Sequence, residues 1–93
     1  MRSFVETKLF TRLVLEYLSD DEYAALQAKL IDDLEAGVVI PGSGGIRKFR
    51  WKAPGRGKRG GYRVVYFARK HHGVVWMLTI TRRTWPKTFQ PTY

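Results

Sequence analysis

Eight cations, Arg47, Lys48, Arg50, Lys52, Arg56, Lys58, Arg59 and Arg63, fall within seventeen residues, and no carboxylate lies among them. Arginine presents a planar fork that matches phosphate oxygens, and lysine adds a mobile point charge. Such a cluster suits a phosphodiester. To act on one, the groups must also converge on a single phosphate and move protons there. With every acid in residues 1–35, the proton carriers of the rest of the chain are Lys, Arg, Tyr and His. RNA offers a reaction within those limits. Its 2′-OH attacks the adjacent phosphorus in line, a base takes the hydroxyl proton, and the 5′-oxygen leaves protonated. The product is a 2′,3′-cyclic phosphate, and neither metal nor cofactor is needed. Crowded cations favour the neutral form of a lysine, which suits one for the base.

Other constellations are weaker. Gly55-Arg56-Gly57-Lys58-Arg59-Gly60 spells G-x-G-x-x-G, but no helix follows it and no βαβ unit surrounds it. Lys58 is followed by Arg59, so there is no P-loop. Arg59-Gly60-Gly61 is a single RGG box and reads as turn chemistry. His71-His72 falls at a turn, with no Cys in the chain and no carboxylate in that half to complete a metal site. Trp51, Tyr62, Tyr66, Phe67 and Trp76 alternate along strands and read as core, with Tyr62 also able to stack on a base.

The charge is divided along the chain. All eight acids (Glu6, Glu16, Asp20, Asp21, Glu22, Asp32, Asp33 and Glu35) lie in residues 1–35, which hold four bases. Residues 36–93 hold thirteen bases and no acid, and the whole chain carries +9. A half that cannot neutralise itself calls for a polyanion, with nucleic acid the default. Solubility charge on a surface hairpin is the plain alternative, but such charge is usually mixed in sign. The 93 residues suit one domain. Absence of Cys excludes disulfides and thiolate sites and suits the cytoplasm. MRSFVETKLF lacks the apolar run of a signal peptide, and no stretch is apolar enough to span a membrane.

The elements that must hold the cations follow from periodicity. Ser3 to Glu6 reads as a strand. Thr7 caps a helix over Lys8 to Leu18, with Leu9, Phe10, Leu13, Val14 and Tyr17 on one face. Ser19-Asp20-Asp21-Glu22 fits a capping box for a second helix, which buries Tyr23, Leu26, Leu30, Ile31 and Leu34 and ends at Gly37. Residues 37–45 read as a connection. From Ile46 to Lys52 the chain alternates, so that Lys48, Arg50 and Lys52 share a face opposite Arg47, Phe49 and Trp51. Gly61 to Arg69 and Val74 to Ile80 are further strands. The order β-α-α-β-β-β implies an α+β fold, two N-terminal helices packed on a small antiparallel sheet. Residues 1–80 form one domain, and 81–93 an irregular tail.

Ile46-Arg47-Lys48-Phe49-Arg50, the Gly55–Gly61 loop, Tyr62-Arg63-Val64-Val65-Tyr66 and Leu78-Thr79-Ile80 together resemble the RelE/HigB superfamily of bacterial type II toxins, closest to its HigB-type branch. The likeness runs from about Phe4 to Ile80. It implies a RelE-like fold and a ribosome-dependent mRNA interferase, a metal-independent endoribonuclease neutralised by a cognate antitoxin, a helix-turn-helix HigA-like protein. Lys48 and Arg50 match the family's basic pair that grips the phosphates, Arg63 the residue that stabilises the phosphorane, and Arg83 a basic residue beyond the last strand. Arg47, Lys52, Arg56, Lys58, Arg59 and Tyr62 are then RNA-binding, toward mRNA and ribosomal RNA. The tail departs from the family, which has Tyr-x-Lys-Asn after Leu-Thr-Ile. One base inserted before codon 81 of a back-translated tail, with codons chosen freely, opens a stop-free frame beginning Tyr-Ala-Lys-Asn. The expectation this raises is a one-base deletion near codon 81 that impairs the toxin, with a genuine variant terminus as the alternative, and the gene's nucleotide sequence decides between them. The alternative function is a non-catalytic RNA- or ribosome-binding module. A DNA-binding regulator fits less well, because the charge lies on strands and a loop.

Overall fold

A computed structural model describes residues 3–52, 61–69 and 71–82. Seven elements follow in order: β1 (Ser3–Glu6), α1 (Lys8–Tyr17), α2 (Asp20–Asp32), β2 (Val38–Val39), β3 (Arg47–Trp51), β4 (Tyr62–Ala68) and β5 (Val74–Arg82). The strands form one sheet in the order β1-β5-β4-β3-β2. The α+β reading holds, with two differences. The sheet is mixed, because β1 lies parallel to β5 at one edge while the other pairs are antiparallel. Val38–Val39, read as connection, forms a two-residue strand on the edge of β3.

Both helix starts follow their local chemistry. The Thr7 hydroxyl accepts from the Phe10 N–H and donates to the Leu78 carbonyl at 2.7 Å, capping α1 and tying it to β5. Ser19 and Glu22 satisfy each other's backbone N–H groups in a complete capping box. The second helix stops at Asp32, earlier than Gly37, with Asp33 as its C-cap. Gly37 has another role. A Cβ there would lie 2.9 Å from the Lys48 carbonyl oxygen and 3.0 Å from the Tyr66 ring, so only glycine lets the chain pass this close.

The helices cover one face of the sheet. Phe10, Val14 and Leu18, with Leu26, Leu30 and Leu34, pack on Trp51, Tyr62, Val64, Tyr66, Val75, Met77 and Ile80. Leu9 and Ile31, expected in this core, are 44% and 49% exposed, because each lies at the margin of its helix's apolar stripe. In β5 the buried positions step from Val75 to Met77 and then to Ile80. A bulge accounts for the change of spacing: Thr79 pairs with Val65 and Met77 with Tyr66, leaving Leu78 as the extra residue. The strand continues to Arg82, two residues past the expected domain boundary.

Candidate functional site

The helix-free face of the sheet gathers the cations. Alternation along β4 turns Tyr62, Val64 and Tyr66 into the core and Arg63, Val65 and Phe67 to the other side. Along β3 it turns Lys48 and Arg50 outward, and both are exposed. The register then builds two rows across the strands. Arg50 stands opposite Arg63, which stands opposite Thr81, and Lys48 stands opposite Val65, which stands opposite Thr79. Successive residues on one face of a strand are about 7 Å apart, so the two rows lie within the reach of one phosphodiester group.

These cations share a cleft. Lys48, Phe49, Arg50 and Arg63 line it with Ala36 and Val38, and its volume is about 410 Å³. It opens because β2 is so short. Val38 and Val39 pair with Lys48 and Arg47, and no further β2 residue pairs with β3 toward Arg50. Ala36 and Val38 were not among the expected site residues. Their only signal was their position, since an apolar stretch cut off by Pro41-Gly42 can form no more than a short edge strand.

The remaining expected site residues divide three ways. Lys52 follows β3 and is exposed, but it does not line the cleft. Arg47 and Tyr62 face the helices, away from the surface expected of them. The Arg47 guanidinium donates to the Gly37 carbonyl at 2.7 Å and sits 3.9 Å from the Glu35 carboxylate. Tyr62 is 4% exposed, and its hydroxyl donates to the Tyr17 carbonyl. Arg47 therefore ties the α2–β2 connection to the sheet, and Tyr62 ties α1 to it. Arg56, Lys58, Arg59 and Arg83 lie outside the described residues, as does the tail from Arg83 onward.

Two tyrosines have raised pKa values, and neither is in the cleft. Burial raises Tyr66, opposed by the hydrogen bond from Gly37 and the charge of Arg47. Burial also raises Tyr23, reinforced by its hydrogen bond to the Glu6 carboxylate. Among the described residues no three His, Asp or Glu side chains gather as a metal cluster. No helix among them is long and apolar enough to cross a membrane.

No family model matches the chain. Solved structures do. A free-state arginine-to-alanine double mutant of the E. coli toxin RelE superposes with a TM-score of 0.60 over 87% of this chain and 82% of its own, at 19% identity. The fold is that of RelE. A chain of the intact E. coli RelBE toxin–antitoxin complex agrees, with a TM-score of 0.59 over 91% of this chain and 100% of its own, at 18% identity. The RelE fold places both helices on one side of the sheet here and leaves the other side to the Lys48–Arg50–Arg63 cleft.

Proposed function

We propose that this chain is the toxin of a type II toxin–antitoxin pair, a metal-independent endoribonuclease that cuts mRNA on the ribosome. The observation that carries the reading is the convergence of Lys48, Arg50 and Arg63 on one cleft with no carboxylate in its lining. The RelE fold and the RelBE neighbour support it.

In this reading the scissile phosphate sits in the cleft. The 2′-hydroxyl gives up its proton to a base and bonds to phosphorus as the bond to the 5′-oxygen breaks, and that oxygen takes up a proton as it leaves, giving a 2′,3′-cyclic phosphate and a 5′-OH. Arg50 and Arg63 neutralise the charge that builds on the non-bridging oxygens, where preorganised donors stabilise most. Lys48, one row along β3, would serve in proton transfer or hold the neighbouring phosphate. Arg83 would add charge from beyond β5, and Lys52, Arg56, Lys58 and Arg59 would hold flanking mRNA or ribosomal RNA. The antitoxin, of HigA-like helix-turn-helix type, would silence the enzyme by covering or distorting the cationic face in the cytoplasm.

Primer extension on an mRNA under translation in a purified system tests the proposal. Cuts at ribosome-occupied codons, ending in cyclic phosphate and lost in Arg63→Ala, are expected. Ribosome binding without cuts would leave two readings, an enzyme disarmed by its tail and a non-catalytic RNA-binding module. Repeating the assay with the tail read in the shifted frame would then separate a disarmed enzyme from a module that never cut.

A further inference from the structure

Beyond the cationic cleft, the helix-free face changes character. Two residues past Val65 on β4 comes Phe67, whose cross-strand partner on β5 is Trp76. Their ring centroids are 5.5 Å apart at 44°. Sequence reasoning counted both as core, yet both are only partly buried and lie on the side away from the helices. Ile46, Leu78, Ser43 and Gly44 complete a shallow, mostly apolar hollow of about 410 Å³ around them. Arg69 places its guanidinium carbon 5.4 Å from the Phe67 ring centroid.

We propose that Trp76 and Phe67 form a nucleobase platform for the single-stranded RNA whose phosphate occupies the Lys48–Arg50–Arg63 cleft. This rests on the RNA-cutting reading above and extends it to a second contact on the same strand. Three observations select a nucleobase as occupant. The first is continuity: Phe67 lies two residues along β4 from the Lys48–Val65 row and four from the Arg50–Arg63 row. At about 3.4 Å per residue those separations are about 7 and 14 Å, the span of the next one or two nucleotides. The second is charge. The cleft at one end is lined by cations, Arg69 covers Phe67 at the other, and neither the cleft nor the hollow has a carboxylate in its lining. A backbone laid from the cleft to the hollow meets cations at both ends, while the nearby Glu35, which lines the adjoining hollow with Phe67 and Arg69, is paired with Arg47. The third is chemistry, because an aromatic pair beside a cationic track is how proteins hold single strands, each base stacking whatever its identity.

The test uses the intact chain and a six-nucleotide single-stranded RNA, 2′-O-methylated so that it is not cut, with an abasic site moved through each position. One abasic position should bind the wild-type protein roughly 5- to 100-fold more weakly than the others. Trp76→Leu should lose a similar factor with its salt dependence unchanged, and in that variant the abasic penalty should vanish. Trp76→Phe should restore it. Arg63→Ala should behave differently, flattening the salt slope by about one while keeping the abasic penalty. The platform is overturned if no abasic position matters to the wild-type protein while Arg63→Ala still flattens the salt slope, and the cleft then stands alone. It is equally overturned if Trp76→Leu leaves RNA binding intact and weakens only the complex with an antitoxin, which would make the hollow a protein-docking surface. If the wild-type chain fails to bind the 2′-O-methylated oligonucleotide without an abasic site even at low salt, the platform is overturned as a contact for free single strands, while the cleft reading is judged by cleavage on the ribosome.

Discussion

Arg50 and Arg63 stand directly opposite each other across the β3–β4 pair, both on the exposed face of the sheet. Like charges in that position repel, at a cost of a few tenths to about 1 kcal/mol. A sheet kept only for stability would place a threonine or an opposite charge at one of them. Arg63→Thr should therefore leave the thermal midpoint unchanged or raise it slightly, while mRNA cleavage falls by at least about a hundredfold, as for loss of a donor to transition-state charge. Thermal denaturation and primer extension on the same preparation check both halves. Equal loss of folding and activity would make Arg63 a structural residue.

The same repulsion predicts a ligand effect. An anion seated between Arg50 and Arg63 removes it, so inorganic phosphate or a short oligophosphate should raise the melting temperature. The rise should follow mass action in ligand concentration. In Arg50→Ala it should shrink to that seen with an equal ionic strength of chloride. A rise that is identical in both proteins would reflect general salt effects.

Tyr66 joins the connection after α2 to the sheet. Its hydroxyl donates to the Leu34 carbonyl at 2.7 Å and accepts from the Gly37 N–H at 3.0 Å, both buried. Tyr66→Phe strands both backbone groups, and each buried orphan costs about 1–3 kcal/mol. A loss of about 2 kcal/mol or more in urea unfolding is expected. Gly37→Ala should destabilise by a similar amount, because the Lys48 carbonyl oxygen it would meet is backbone and has little room to give. Cleavage should also suffer in both variants, since Ala36 and Val38 flank Gly37 and line the cleft.

Alkaline pH should weaken the fold in a defined direction. Tyr23 and Tyr66 keep their protons in the folded chain above the ordinary tyrosine pKa of 10.0, whereas the unfolded chain releases them. The folded state then binds more protons than the unfolded one, so stability falls as pH rises above about 10 and their contribution is constant below it. Tyr23→Phe should flatten this decline in urea unfolding measured at successive pH values. An unchanged slope would mean that Tyr23 titrates normally and that its bond to Glu6 does not hold in solution.

Local chemistry alone determined much of this protein. Thr7 and the Ser19–Glu22 box mark the helix starts because capping involves groups only three residues apart. Lys48 and Arg50 share a face because a strand repeats every two residues, and the same rule set Arg47 on the other side. The motif order pointed to the RelE fold, which the structural neighbours share.

Tertiary structure decided what depends on partners far along the chain. Periodicity within Ser3–Glu6 carries nothing about Val74–Met77, so the parallel β1–β5 pair was not legible. Nor was the bulge at Leu78, which keeps Met77 and Ile80 in one core and turns Trp76 to the open face beside Phe67. The cleft itself lies where β2 pairs only with Lys48 and Arg47 and leaves Arg50, with Arg63 across from it, without a β2 partner. Residue type supplied the charges, but cross-strand register, set by packing against the helices, brought them together.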